Sequence, residues 1–157
     1  AYEGDSHLRV YGRDSSGDYV FQNLGSRRSC LQAAVPYVIS VMVRLPTGAP
    51  CFASDSQCPY LQLRTGHQGG ETTRWLGDIH GSQGTDGEWN ALWAVTTFSA
   101  EELAADEFTR IEVIGGGTAD YFVDKAEIVL APQVPNSADP CDNLIKNGDL
   151  DAHHGSW

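Results

Sequence analysis

Apolar and polar residues alternate most clearly in the segment Pro36–Leu45, which reads PYVISVMVRL. Successive side chains of a β-strand point to opposite faces of the sheet, so residues two apart share a face. One face of this segment is wholly apolar, and its members are Tyr37, Ile39, Val41, Val43 and Leu45. The other face mixes apolar and polar side chains, namely Val38, Ser40, Met42 and Arg44. The pattern predicts a strand with one row against a core and the other row half in solvent.

Shorter segments repeat this alternation between turn-rich stretches. Further strands are predicted at His7–Gly12, Asp18–Leu24, Pro59–Thr65, Thr73–His80 and Glu88–Phe98. Glu88–Phe98 is apolar on both faces, so its periodicity does not orient it. One helix-like piece begins at Ser99, because Ser99 and Glu102 have the spacing of a capping box. With about eight short strands the chain predicts an all-β fold, a β-sandwich or jelly roll of two antiparallel sheets.

Two apolar runs within Thr109–Pro132 flank the sequence GGGTAD, which is typical of a long β-hairpin. In the second run the even-numbered side chains from Phe122 to Leu130 predict a core-facing row, and Asp124 belongs to it. A buried carboxylate is costly unless it is paired, hydrogen-bonded or bound to a cation. The position of Asp124 therefore needs an explanation beyond packing, and an Asp bonded to the backbone at a bulge is one such explanation.

The charge of the chain narrows the set of partners. Its 157 residues include 21 acidic and 10 basic residues, for a net charge of -11. Nucleic-acid binding requires tracks of Lys and Arg, so a nucleic acid is not an expected partner. An acidic surface is compatible with neutral ligands and with cations such as calcium. No apolar run reaches spanning length and no signal peptide is recognised, so a membrane is not an expected partner either.

The four cysteines are an even number, which favours an oxidising, extracellular setting and hence a secreted protein. Cys51 and Cys58 bracket a short polar loop between two predicted strands, where a disulfide is easily made. Cys30 and Cys141 would then be left to pair with each other. Four reduced thiols are the alternative.

Four segments, in order, resemble the carbohydrate-binding modules of families 4, 9 and 22: GDSHLRVYGRDSSGDYVFQNL, PYVISVMVRL, DGEWNALWAVTTF and RIEVIGGGTADYFVDKAEIVL. The resemblance covers residues 5–132, and its strongest parts are DGEW and YFVDKAEI. It implies a galactose-binding-like jelly roll that binds a polysaccharide, such as a β-glucan or xylan, without catalysis. Lys125 stands where the family has a second acidic residue, and Met42 where it commonly has Trp.

The C-terminal stretch DNLIKNGDLDAHHGSW resembles the first strand of the same modules. The predicted organisation is a module at 1–132, a linker at 133–142 and a first-strand-like segment at 143–157. This segment completes its own module or a neighbouring one, as in a tandem repeat. Because a vacant strand position exposes unpaired backbone groups, a homo-oligomer through strand exchange of 143–151 is one expected assembly.

The resemblance also implies a structural calcium ion. Its ligands would be Asp124, Asp151 and backbone carbonyls near Gly4–Ser6. Calcium takes about six to eight oxygen ligands from carboxylates, carbonyls and water, which suits such a set.

Sugar-binding sites pair rigid aromatic side chains with amide, guanidinium or carboxylate groups. The outward row of Pro59–Thr65 has this composition, and Trp75 has Arg74 and Asp78 beside it. Trp89, the Trp of DGEW, is expected in the core. The predicted ligand-binding residues are Tyr19, Gln22, Tyr60, Gln62, Arg64, Trp75 and Trp93.

Enzyme signatures are weak. The chain has neither a GxSxG nor an HExxH motif, and the adjacent Asp5, Ser6 and His7 do not form a triad along a strand. A non-catalytic glycan-binding module is therefore predicted. The alternatives are a structural repeat of an extracellular matrix, coat or adhesive protein that assembles by strand exchange and, less favoured, a small glycan-active enzyme.

Overall fold

The structure, a computed structural model, describes residues 2, 6–15, 17–49, 51, 58–79 and 84–131, together with the backbone of 151–153. The strands in these ranges are β1 Leu8–Val10, β2 Tyr19–Asn23, β3 Pro36–Arg44, β4 Tyr60–His67, β5 Gly70–Asp78, β6 Trp89–Thr97, β7 Phe108–Ile114, β8 Tyr121–Leu130 and β9 Asp151–His153. A 3-10 helix at Gly25–Cys30 and a single helical turn, α1 Ala100–Leu103, connect them. Within the same ranges, no helix is long and apolar enough to cross a membrane.

The strands form two antiparallel sheets, with the orders β1-β8-β3-β6 and β5-β4-β7-β2-β9. Their inward rows meet in one core, so the predicted β-sandwich is confirmed. In the five-stranded sheet, β9 pairs with β2 of the same chain through Asp151 opposite Phe21 and His153 opposite Tyr19. The linker and the rest of the tail lie outside the described residues, so the division of the chain at 132 and 142 stays a prediction.

The core comes from the rows that alternation predicts. On β3, Ile39, Val41 and Val43 are buried, and they share one apolar cluster with Leu61 and Leu63 of β4. Burying a side chain of this kind contributes about 1.5–3 kcal/mol, so these rows fix which face of each strand points inward.

Strand β6, which its sequence could not orient, turns Leu92 and Ala94 into the core. Trp93 and Val95 consequently lie on the outer side of the four-stranded sheet, where both are exposed. Across that side, Val95 is opposite Val38 of β3, and Val38 is opposite Val129 of β8. Among the described residues, the outer side therefore carries an apolar row in which Val95 and Val129 are exposed and Val38 is half-buried.

The hairpin predicted within Thr109–Pro132 is wrong, because β7 and β8 lie in different sheets. The connection GGGTAD crosses from one sheet to the other. Arg13 holds it in place: its Nη1 donates to Ala119 O over 2.6 Å, and its guanidinium lies 5.0 Å from the centre of the Tyr121 ring. A Cβ atom on Gly115 would lie 2.4 Å from Arg13 Cζ, so a side chain there would force this guanidinium to move. The prediction failed because both strands have an inward apolar row, and such a row does not show to which of the two sheets its strand belongs.

The core-facing row predicted on β8 is wrong in its first half. Lys125 has a φ of 46°, and the pairing of β8 with β3 shifts register beside it. Such a bulge adds one residue and exchanges the two faces. Val123 therefore points inward before the bulge and Ala126 after it, while Asp124 lies on the outer side of the sheet.

Tyr2 and His7 pack over that outer side. Tyr2 N donates to Asp124 Oδ2 over 2.7 Å, and the Tyr2 ring meets Trp89 edge-on with centroids 6.2 Å apart. The His7 ring also meets Trp89, at 6.1 Å. Trp89 was expected in the core and instead lies on the outer side beneath these two residues. Their contacts explain how Asp124 is fully buried without facing the core.

Two local predictions are confirmed. Ser99 and Glu102 form the capping box of α1, with Glu102 N donating to Ser99 Oγ over 3.0 Å and Ser99 N donating to Glu102 Oε2 over 2.8 Å. Cys51 and Cys58 form a disulfide. Cys30 is disulfide-bonded as well, and its predicted partner Cys141 lies outside the described residues.

Candidate functional site

The outer side of the five-stranded sheet carries aromatic and polar side chains on four adjacent strands. On β4, Tyr60, Gln62 and Arg64 point outward and alternate with the buried Leu61 and Leu63. Antiparallel pairing aligns them with the outward residues of β5, β7 and β2. We name this surface the candidate face. Its members are Tyr19, Phe21, Asn23, Tyr60, Gln62, Arg64, Glu71, Thr73, Trp75, Asp78, Phe108, Arg110 and Glu112.

One row of the candidate face crosses all four strands. Gln62 is opposite Trp75 on one side and Glu112 on the other, and Glu112 is opposite Phe21. Neighbouring strands lie about 4.8 Å apart, so this row extends roughly 14 Å. It places an exposed indole at one end, a benzyl ring at the other, and an amide and a carboxylate between them.

Glu112 is the charged centre of the face, and its side chain has no exposed surface. Arg110 Nε donates to Glu112 Oε1 over 2.7 Å, and Gln62 Nε2 donates to Oε2 over 2.8 Å. Arg64 Nη1 lies 3.5 Å from Oε1. A buried carboxylate is tolerated when it is paired and hydrogen-bonded in this way. Burial, followed by the charge of Glu112, raises the pKa of Tyr60, so its hydroxyl remains a neutral donor.

Arg110 joins three aromatic rings into one unit. Its guanidinium carbon lies 4.5 Å from the ring centre of Phe108, 4.9 Å from Phe21 and 5.4 Å from Tyr19. Its Nη2 also donates to the Tyr19 hydroxyl over 3.0 Å. Cation–π contacts and this hydrogen bond therefore hold the rings of β2 and β7 in fixed positions.

The Phe108 ring lies directly against the backbone of Gly66. A Cβ atom at position 66 would be 2.4 Å from Phe108 Cε1, which no side-chain carbon tolerates. Since Phe108 and Gly66 are opposite each other on β7 and β4, glycine here makes room for the ring above the backbone of β4. In that position the ring centre lies 4.5 Å from the guanidinium carbon of Arg110.

This arrangement suits a sugar chain. Pyranose rings present apolar C–H faces that pack on aromatic planes, while their hydroxyls need amide, hydroxyl or charged partners. Trp75 offers an indole that is 58% exposed, and Gln62 offers an amide beside it. The hydroxyls of Tyr19 and Tyr60 add neutral hydrogen-bonding groups.

The structure brings five of the predicted ligand-binding residues onto the candidate face: Tyr19, Tyr60, Gln62, Arg64 and Trp75. Asp78 shares the face because the pairing of β4 with β5 shifts register between Leu61 and Gln62, whereas Arg74 turns away and pairs with Glu102 at 2.9 Å.

Two predicted residues lie elsewhere. Gln22 is on the inner side of β2, almost fully buried, and its Nε2 donates to Asn23 O. Gln22 and Tyr19 are an odd number of residues apart on the same strand, so their side chains point to opposite faces of the sheet. Trp93 belongs to the other sheet and is exposed on the opposite side of the sandwich.

Sequence reasoning missed the β2 and β7 part of the face, namely Phe21, Phe108, Arg110 and Glu112. The segment FTRIEVI does alternate, with Phe108, Arg110 and Glu112 on one row and Thr109, Ile111 and Val113 on the other. This alternation indicates an outward row of aromatic and charged side chains, which the interpretation of the region as a hairpin did not assign to a site.

The predicted calcium ligands are only partly described. Asp124 Oδ1 accepts a hydrogen bond from Lys125 N over 2.7 Å, and Oδ2 accepts one from Tyr2 N over 2.7 Å, as expected for an Asp at a bulge. Asp151 lies in β9, and its side chain is outside the described residues. The described part of the chain contains no group of three or more His, Cys, Asp or Glu side chains that could hold a metal ion. The calcium site therefore stays a prediction.

The fold is shared with solved carbohydrate-binding modules. The C-terminal family 22 carbohydrate-binding module of Clostridium thermocellum Xyn10B matches with a TM-score of 0.63 at 17% identity, over 87% of this chain and 79% of that one. The CBM22-2 xylan-binding domain of Paenibacillus barcinonensis Xyn10C matches with a TM-score of 0.61 at 14% identity, over 80% and 78%. At these identities the matches establish the fold, and at that level the predicted resemblance is confirmed.

A third structure is longer than this chain. It contains the CBM22-1 and GH10 modules of Clostridium thermocellum endo-1,4-β-D-xylanase 10B with xylohexaose, and the match has a TM-score of 0.58 at 17% identity. The match covers 85% of this chain and 23% of that structure. No protein-family model matches the sequence, and no curated protein sequence matches it.

Proposed function

We propose that this chain is a non-catalytic β-sandwich module that binds a polysaccharide along the candidate face. The observation that carries the proposal is the row Trp75, Gln62, Glu112 and Phe21, in which rings flank polar groups across four strands. The xylan-binding modules that share the fold support a β-glucan or xylan-like chain as the ligand. The extent of the row suits several consecutive sugar units rather than one.

The test uses two tryptophans that are equally exposed, Trp75 and Trp93, each at 58%. Calorimetric titration of the protein with soluble xylan and mixed-linkage β-glucan measures the affinity. Trp75→Ala is expected to lower the affinity at least tenfold, since aromatic packing is removed from the candidate face. Trp93→Ala, on the opposite side, is expected to change it less than twofold. A loss with Trp93→Ala and none with Trp75→Ala would move the site to the other sheet.

The module is proposed to lack catalysis, because the carboxylates of Glu112 and Glu71 on its candidate face are both paired, Glu112 with Arg110 and Gln62 and Glu71 with Arg64. Glycoside hydrolysis commonly needs two carboxyl groups that reach the scissile bond. Reducing ends should therefore not increase when the protein is incubated with either polysaccharide. The Cys51–Cys58 disulfide supports an extracellular setting, which is part of the same proposal.

Calcium binding at Asp124 is a separate proposal. It is supported by a fully buried carboxylate at a position for which the family resemblance implies a ligand. The chelator experiment in the Discussion tests it.

A second candidate function is assembly by strand exchange. The observation that favours it is the short pairing of β9 with the edge of β2, through three residue pairs. So short a strand is easily replaced by the same segment of another copy. Light scattering over a range of protein concentrations tests this: a mass that stays at one chain excludes exchange, and a dimer or larger species supports it.

A further inference from the structure

The charges of the candidate face are arranged so that each guanidinium is already paired within the protein. Arg110 is the deeper one, with a side chain only 16% exposed. Its Nε is engaged by Glu112, its Nη2 by the Tyr19 hydroxyl, and three rings surround it. A carboxylate arriving from solvent would have to displace these contacts to reach it.

Arg64 is the shallower guanidinium, and it lies between two carboxylates. Its Nε is 2.8 Å from Glu71 Oε2 and its Nη1 is 3.5 Å from Glu112 Oε1. The Nε–H does not point at an acceptor among the described residues, so the contact with Glu71 is an ion pair rather than a hydrogen bond. Glu71 is the more exposed partner, at 43% against 28% for Arg64. An approaching ligand therefore meets the negative member of this pair first.

Further negative charge surrounds these pairs. Asp78 lies on the same face, opposite Tyr60. The chain as a whole carries a net charge of -11. A uronic acid carboxylate would thus enter a negative potential and find no guanidinium of the candidate face that lacks a carboxylate partner.

The groups that remain for a ligand are mostly neutral. They are the side-chain carbonyl of Gln62, the hydroxyls of Tyr60 and Thr73, the side-chain NH2 of Asn23 and the exposed indole of Trp75. We propose that the candidate face selects neutral polysaccharide chains and discriminates against chains that carry uronic acids. This selection rests on the proposed polysaccharide binding and specifies its ligand class.

The experiment compares polymers that differ only in charge. One pair is glucuronoxylan and its carboxyl-reduced form, and the other is a C6-oxidised mixed-linkage β-glucan and its neutral parent. Calorimetric titration at 50 mM salt is expected to give at least about a fivefold higher affinity for the neutral member, which is the order expected for one like charge near the site. Raising the salt to 300 mM should reduce the ratio, because screening weakens the repulsion.

Two substitutions that each remove one negative charge test whether the discrimination arises at the candidate face. Glu71→Gln removes the carboxylate that partners Arg64 at the surface, and it should reduce the neutral-to-acidic ratio at least twofold. Glu127→Gln changes the charge by the same amount on the outer side of the other sheet, where Glu127 lies opposite Ser40, and it should leave the ratio unchanged.

The outcomes separate the two proposals. Equal affinity for the neutral and acidic members would overturn the charge selection while leaving polysaccharide binding intact. The same is true if Glu71→Gln and Glu127→Gln reduce the ratio equally, because the effect would then come from the overall charge. Failure to bind any of the four polymers would overturn the proposed function itself, and with it the selection.

Discussion

The carboxylate of Glu112 accepts a hydrogen bond from Arg110 Nε over 2.7 Å on the solvent-facing side of a sheet, yet it has no exposed surface. Its cover consists of the side chains that form the candidate face. Because Glu112 also accepts from Gln62 and lies near Arg64, it fixes the positions of three polar side chains at once. This one carboxylate therefore organises the polar part of the face.

Arg110 and Glu112 should be strongly coupled in stability. Arg110→Gln leaves a buried carboxylate with weaker partners, and it is expected to lower the free energy of unfolding by about 2–4 kcal/mol. Adding Glu112→Gln should cost less than the sum of the two single changes. Urea unfolding of the wild type, both single variants and the double variant measures the coupling. Additive effects within about 0.5 kcal/mol would show that the pair does not act as a unit.

Gly66 should matter for binding more than its lack of a side chain suggests. Gly66→Ala places a carbon 2.4 Å from Phe108 Cε1, so the ring must leave its position beside Arg110. Glycan affinity is expected to fall about tenfold by titration, in keeping with the energy of a well-placed aromatic contact. Gly69→Ala, in the adjacent turn with nothing within 4 Å, is the matched control and should bind normally. Normal binding by both variants would remove Phe108 from the site.

Alkaline pH should destabilise the fold through Tyr121. Burial raises the pKa of its phenol, and the hydroxyl donates to Val113 O. Below about pH 10 the phenol is neutral in both states, so it adds no pH dependence; above that, the unfolded chain ionises first. Stability should then fall by up to about 1.4 kcal/mol per pH unit from this group. Urea unfolding between pH 9 and 11.5 measures the slope. Tyr121→Phe should flatten it, whereas Tyr11→Phe, at an exposed ring, should not.

Asp124 should link the start of the chain to the outer side of the four-stranded sheet. Asp124→Asn sets an amide group against one of two backbone N–H donors, those of Tyr2 and Lys125. The expected loss is about 1–3 kcal/mol in urea unfolding. Asp14→Asn, at an exposed carboxylate, is the control.

The same two variants test calcium. If Asp124 holds the ion, a chelator should lower the melting temperature of the wild type and of Asp14→Asn, but not that of Asp124→Asn. An equal response of all three proteins, or no response in any, would contradict a calcium site at Asp124.

Alternation predicted the strands and the core because every second residue of a strand faces the core and is therefore apolar. The row of Tyr37, Ile39, Val41 and Val43 is an example. Alternation does not show to which sheet a strand belongs, and so the sequence predicts a hairpin of β7 and β8 although the three-glycine loop between them joins two sheets. The bulge at Lys125 was equally hidden, since one extra residue exchanges the faces of a strand whose composition suits both.

The candidate site was predicted where its residues alternate with a buried row, as Tyr60, Gln62 and Arg64 do. It was missed where a charged residue is buried on the outer face, as Glu112 is. A sequence shows that a residue is charged, but not that neighbouring side chains shield it from solvent. Gln22 and Trp93 were predicted as ligand-binding residues but lie away from the candidate face, for different reasons. Gln22 is a polar residue on an inner row, and Trp93 stands on a strand that is apolar on both faces.

The apolar row of Val95, Val38 and Val129 has a practical consequence, since Val95 and Val129 are exposed, like Trp93, on the side away from the candidate face. At low ionic strength a net charge of -11 keeps two copies apart. The screening length falls from about 10 Å at 0.1 M salt to about 3 Å at 1 M, and apolar contact between copies then meets little opposition. Concentrated salt should therefore precipitate the protein, whereas its affinity for a neutral sugar chain should not change.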